Sequence, residues 1–181
     1  MSPIPFKDGD TFETFGKHTE KIVQDIKRLD DQYVLKVPQA ELENQYIEKI
    51  LIRPLVLHTD SKYIIEGTLD LAIPYEGDPI LWKLQPSHWT LSPYPDIEIS
   101  ADRIVFSIGS PDDRLDQARL RENIDEAVKS LANGVEELKP DVERHNREAP
   151  QRIRDAIRRK RQKAQANADA ISGLGIPIKD K

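Results

Sequence analysis

The stretch Ile124-Asp-Glu-Ala-Val-Lys-Ser-Leu-Ala-Asn-Gly-Val-Glu-Glu-Leu138 decides how the last third of this chain is read. Its apolar residues Ile124, Val128, Leu131, Val135 and Leu138 step by four, three, four and three, the spacing of a seam that packs on another helix. Upstream, Ser110-Pro-Asp-Asp113 offers capping residues and acids where the positive end of that helix would lie. Gly134 weakens the helix locally, and Pro140 is expected to start a second one, because proline suits a first turn and not an interior. In that second helix Val142, Ala149, Ile153, Ala156, Ile157 and Ala164 form a thinner stripe, with Pro150 implying a kink or a break. Residues 111–171 therefore read as a long C-terminal helical hairpin, and the five seam residues as a candidate interface between copies of the chain.

The second helix ends in Gln151-Arg-Ile-Arg-Asp-Ala-Ile-Arg-Arg-Lys-Arg-Gln-Lys163. Arg152, Arg154, Arg158, Arg159, Lys160, Arg161 and Lys163 face one acid, Asp155, a net of +6 within a chain of net charge -5, so the remainder carries -11. Such asymmetry steers association with acidic partners. These seven residues are the candidate nucleic-acid-binding set, able to hold DNA or RNA phosphates without reading sequence. The competing reading is a solvated helix whose arginines pair with the acidic body, favoured by the lack of interleaved aromatics to stack on bases.

Working back toward the N-terminus, Ile97 and Ile99 alternate with Glu98 and Ser100, and Ile104, Phe106 and Ile108 with Val105 and Ser107. Pairing Ile99 with Ile104 and Ile97 with Phe106 puts all five on one face of a β-hairpin. Residues 63–75 show a period of two, with Ile65, Leu69, Leu71, Ile73 and Tyr75 on one face, ended by Pro74 and the turn Glu76-Gly-Asp-Pro79. Further back, Phe15, Ile22, Val23, Ile26 and Leu29 mark an amphipathic helix capped by Thr11 or Thr14. A short extended piece over residues 33–37 follows. Pro38 then opens a helix carrying Leu42, Tyr46, Ile47 and Ile50, which must stop before Pro54. The fold class is α+β: a small, mostly antiparallel sheet with one face packed by helices and the other wet, plus the C-terminal hairpin. The expected organisation is a body over residues 1–110, an arm over 111–171 and a linker-like tail over 172–181.

At 181 residues the chain suits one core with a helical extension. With no cysteine, disulfides, thiolate metal sites and cysteine nucleophiles are excluded. No segment approaches the roughly 20 apolar residues of a membrane helix, and the N-terminus lacks a signal-peptide run, so a cytoplasmic chain is expected. Glu66 and Asp70 share a strand face near Glu76 and Asp78, but a solvent face and an acidic turn explain them. Asp60-Ser-Lys62 has the Asp-x-Lys form of nuclease sites, yet Pro95-Asp96 follows it in the wrong order. His18, His58, His88 and His145 are dispersed, with no metal-ligand spacing. No Gly-rich phosphate loop or nucleophile elbow is present, so neither an enzyme nor a cofactor is expected.

Four pieces carry a family resemblance: Lys21-Ile-Val-Gln-Asp-Ile-Lys-Arg-Leu-Asp-Asp-Gln-Tyr-Val34, Pro74-Tyr-Glu-Gly-Asp-Pro-Ile-Leu-Trp82 with Pro86-Ser-His-Trp-Thr-Leu-Ser-Pro93, the two long helices, and Leu174-Gly-Ile-Pro-Ile-Lys179. Together they resemble the N-terminal region of a group of bacterial proteins that also carry a C-terminal restriction-endonuclease-like domain. The resemblance implies a non-catalytic sensor or oligomerisation module of a nuclease effector, acting in defence against foreign DNA. Its partners would be a nuclease domain or further copies of itself. The family's nuclease residues would lie beyond Lys181, so none is carried onto a position here. The alternative function is nucleic-acid binding through residues 151–163.

Overall fold

Both prolines that divide the last third of the sequence lie inside one helix. The computed structural model describes residues 4–88, 93–109 and 117–173. In it α4 runs from Gln117 to Gly173, 57 residues, through Pro140 and Pro150. The expected C-terminal helical hairpin is thus corrected to a single helix. The reason lies in the phase of the buried stripe: Leu131, Val135, Leu138, Val142, His145, Ala149, Ile153, Ile157 and Ala164 are all buried, and they follow one another by three, four or seven residues. An interior proline costs about 3 kcal/mol, whereas burying one aliphatic side chain contributes about 1.5–3 kcal/mol, so several in-phase anchors outweigh two lost helical hydrogen bonds. Ser110-Pro-Asp-Asp113 and the tail from residue 174 lie outside the described residues.

The remaining elements are β1 (Gly9–Asp10), α1 (Thr11–Lys27), α2 (Asp31–Lys36), α3 (Gln39–Ile50), β2 (Val56–Leu57), β3 (Tyr63–Ile64), β4 (Asp70–Glu76), β5 (Leu84–Gln85), β6 (Glu98–Ile99) and β7 (Arg103–Ser107). The fold is α+β with a mostly antiparallel sheet. Two compact units are each discontinuous in sequence: Met1–Thr14 with Ile52–Arg144, and Phe15–Leu51 with His145–Lys181. Their boundaries differ from the expected body and arm, since α1 and α4 each contribute residues to both.

In the first unit β2, β4, β7 and β6 form an antiparallel sheet with β3 also on β4, and β1 pairs with β5 in parallel. The β6–β7 hairpin keeps the expected register at Ile99 and Ile104. The strand expected over residues 63–75 is instead a hairpin: Gly67 takes a positive φ of 80°, and Thr68 Oγ1 donates to the Ile65 carbonyl and accepts from the Asp70 amide. Strict alternation fails in β4, where Leu71, Ala72 and Ile73 are all buried, so no face of the sheet is wet there. Pro74 does not end β4; it pairs with Arg103, and its carbonyl accepts from the His58 amide. Beyond β4, Gly77 has φ 112°, and a Cβ there would strike the Pro54 carbonyl. Only glycine fits. The Arg53 amide and guanidinium close the same turn on the Asp78 carboxylate.

Within the same unit Gly134 has a purpose beyond weakening α4: it leaves room for the Phe6 ring, which a Cβ would overlap. Phe6 also lies against Trp82, with ring centroids 5.5 Å apart, and Tyr75 meets Trp82 edge-on at 5.4 Å. Polar closure comes from Asp141, 3% exposed, whose Oδ2 accepts from Thr11 Oγ1 and the Ser87 amide, both at 2.7 Å. Its Oδ1 accepts from Arg144 at 2.6 Å. Burial by itself would raise this carboxyl, but the donors of Ser87, Thr11 and Arg144 prevail and hold it below the ordinary carboxylate value. Thr11 is therefore spent on Asp141. The cap of α1 is Asp10, whose Oδ1 accepts from the Glu13 amide at 2.8 Å, in place of the expected threonine.

The second unit packs α1, α3 and α4 around Ile22, Ile26, Leu42, Tyr46, Ile50, Ala149, Ile153 and Ile157. His145 is buried against Phe15, with ring centroids 4.9 Å apart, and its Nε2 lies 3.0 Å from the Ile50 carbonyl. The extended piece expected over residues 33–37 is the helix α2. Asp30 caps its start by accepting from the Tyr33 amide, and Arg161 binds the carbonyls of Val34 and Val37 at its end. The second cap comes from far along the sequence and cannot be seen locally.

Candidate cationic groove on helices 1 and 4

The helical period sorts the basic residues of α4 into groups with different work. Ile153, Ile157, Lys160 and Ala164 fall on one stripe, so Lys160 occupies a position the core would fill with an apolar side chain. Its side chain is only 12% exposed, and its amine reaches Asp31 of α2 at 2.6 Å. Asp31 also accepts from Asn167 at 2.8 Å, and these two donors, Lys160 first, hold its carboxyl below the usual value. Arg161 caps α2 through Val34 and Val37, at 2.5 and 2.7 Å. Arg154 faces Glu43 of α3 at 3.9 Å, and Arg158 pairs with Asp155 one turn back at 3.3 Å.

Arg152, Arg159 and Lys163 share a different side, seven and four residues apart. Facing them on α1 are Glu20, Val23 and Lys27, again at helical spacing. Together with Asp155, Ala156 and Lys160 they line a groove of about 530 Å³. The floor is apolar, at Val23 and Ala156, and the rim is charged. Glu20 is shared between Lys27 at 3.9 Å and Arg152 at 3.6 Å, both long contacts between exposed groups. Arg159 and Lys163 make no hydrogen bond or ion pair among the described residues. Five cations against two carboxylates leave the lining with a net of +3.

The seven basic candidates are thus not one surface. Arg152, Arg154, Arg158, Lys160 and Arg161 are engaged within the second unit, whereas Arg159 and Lys163 are exposed and Lys163 acts on Asp31 only through its charge. Comparison of the chain with protein-family models, with curated protein sequences and with solved structures gave no match.

The candidate interface residues lie in the first unit. Leu131, Val135 and Leu138 are 0%, 4% and 1% exposed, so their surface is already used inside the chain, and Ile124 and Val128 are half-buried. Among the described residues no group of three or more His, Asp or Glu side chains is placed to hold a metal ion. Asp70, Asp96 and Glu98 border a shallow depression on the sheet. Lys62 of the Asp60-Ser-Lys62 triplet donates to the Thr59 carbonyl. Among the described residues no helix is long and apolar enough to cross a membrane.

Sequence reasoning found the cationic side of the groove and missed its other wall. Val23 read as part of the apolar face of a packing helix and Lys27 as its wet side, while Glu20 was not singled out, and only the pairing of α1 with α4 turns the three into lining. The burial of Asp141 was equally hidden, because its donors Thr11 and Ser87 lie 130 and 54 residues away.

Proposed function

We propose that this chain is a non-catalytic sensor module of a bacterial nuclease effector, acting in defence against foreign DNA, and that the groove between α1 and α4 is its sensing site. The effector link comes from the four resembling stretches. The observation that supports the sensing role is the pair Arg159 and Lys163, two exposed cations with no hydrogen bond or close ion pair among the described residues, on a cavity of about 530 Å³, within the 300–1,000 Å³ of small-molecule sites. Sensing is favoured over oligomerisation by the burial of Leu131, Val135 and Leu138, which removes most of the seam a second copy would use.

The coding sequence beyond codon 181 tests the effector link. A nuclease-coding stretch in frame or immediately adjacent is expected; a stop codon with no nuclease gene beside it removes the link. Binding of DNA or RNA along residues 151–163 is the second reading, favoured by the local charge of +6. It predicts a gel shift that weakens steeply with salt and vanishes in Arg159→Glu/Lys163→Glu. Absence of any shift at low salt removes it.

A further inference from the structure

The geometry of the groove points to a small organic phosphate, with the phosphate on Arg159 and Lys163 and the organic part over Val23 and Ala156. This inference rests on the reading of the groove as the sensing site and names its ligand class. Arg159 and Lys163 are four residues apart, so their stems leave α4 about 6 Å apart along the axis. That is the reach of one phosphate or diphosphate group, which a guanidinium grips with two parallel N–H donors and an ammonium as a point charge. Net charge selects the same class: with Lys160 neutralised by Asp31, the lining keeps a net of +2, which matches a phosphate monoester dianion better than a single carboxylate.

Two features favour a small molecule over a nucleic-acid strand. A strand needs successive unpaired cations along its backbone, yet on either side of the free pair the basic residues are tied to Glu20, Asp155, Asp31 and the carbonyls of α2. The carboxylates of Glu20 and Asp155 also line the groove toward Arg152, so a strand following α4 must pass both, whereas a single phosphate on Arg159 and Lys163 lies one to two turns beyond Asp155. Lys27 and Arg152 hold Glu20 only at 3.9 and 3.6 Å, so an incoming dianion can draw either toward itself at little cost. The floor gives the organic part an apolar contact. No aromatic side chain lines the groove, so a nucleobase would gain no stacking there.

Isothermal titration of the full chain with phenyl phosphate, inorganic phosphate and a short single-stranded oligonucleotide tests this. Phenyl phosphate is expected to bind tightest, and Arg159→Ala/Lys163→Ala to weaken it roughly tenfold or more, since each charge-assisted contact accounts for about that factor. Both side chains are exposed and make no hydrogen bond or close ion pair among the described residues, and Lys163 acts on Asp31 only at longer range, so the double variant is expected to keep the wild-type circular dichroism and melting temperature. Binding that survives the double variant overturns the site, and equal affinity for inorganic and phenyl phosphate overturns the role of the floor. Binding of the oligonucleotide alone, or of no probe, overturns the ligand class. The effector link is decided separately at the coding sequence, so either can fail while the other stands.

Discussion

One helix carries two stretches that use their polar residues in opposite ways. In the first unit, α4 around Leu131–Arg144 is anchored by a buried acid, Asp141, fed by a hydroxyl, a backbone amide and a guanidinium. In the second unit, α4 beyond His145 is anchored by bases that reach out to carboxylates and carbonyls of α1, α2 and α3. A short acid close to the helix axis fits inside a core when its donors are supplied. Long basic side chains keep their charge near water.

The contrast is broken most directly at Asp141. Asp141→Ala leaves Thr11, the Ser87 amide and Arg144 facing an unfilled site, and should lower stability by about 3–5 kcal/mol, nearer the lower figure because Arg144 reaches solvent. Urea unfolding reads this. A loss as small as that of an exposed arginine would erase the distinction between the stretches. Gly134→Ala follows: it forces the Phe6 ring off its seat and should cost about 1–3 kcal/mol, even though alanine is the better helix former. A rise in melting temperature would mean that Phe6 repacks freely.

In the second unit Arg161→Met strips the carbonyl end of α2 and should cost about 1–2 kcal/mol. Hydrogen exchange should speed up in residues 31–37 before it does so in α3. Uniform exchange across both helices would show that α2 does not depend on this cap. Next comes pH. Burial, aided by the nearby charges of His18 and Arg152, lowers the basicity of His145 below its ordinary value of 6.5, against the opposing Glu148 and Ile50 carbonyl. The unfolded chain then binds the proton more readily than the folded one, so this contribution is complete above about pH 6.5 and is lost as pH falls toward the depressed value. The urea midpoint of the second unit should drop between pH 7.5 and 5.5, and His145→Gln should flatten that slope; an unchanged slope would locate the titration elsewhere. The smallest effect is expected from Arg152→Gln, under about 0.5 kcal/mol, because its pair with Glu20 is long and exposed.

What the sequence disclosed follows the same division between local and distant causes. The register of Ile99 on Ile104 and the helices α1 and α3 follow from spacing that neighbouring residues set, and all three are as expected. The extended reading of residues 33–37 failed because Arg161, more than 120 residues on, supplies the cap. The hairpin failed because each proline was weighed by itself, while the buried stripe keeps its phase through both of them. In the groove, the basic wall was legible as a charge run. Which cations remain unpaired was not, because that depends on Glu20, Glu43 and Asp31 arriving from other helices.

Trp82 is fully buried among Phe6 and Tyr75. Trp82 belongs to the first unit, and the sequence of the second unit contains no tryptophan. Intrinsic tryptophan emission therefore does not originate in the second unit, while far-ultraviolet circular dichroism is dominated by helices of both. Recorded side by side through a denaturant titration, the two signals would coincide if the units unfold together and separate if either lets go first.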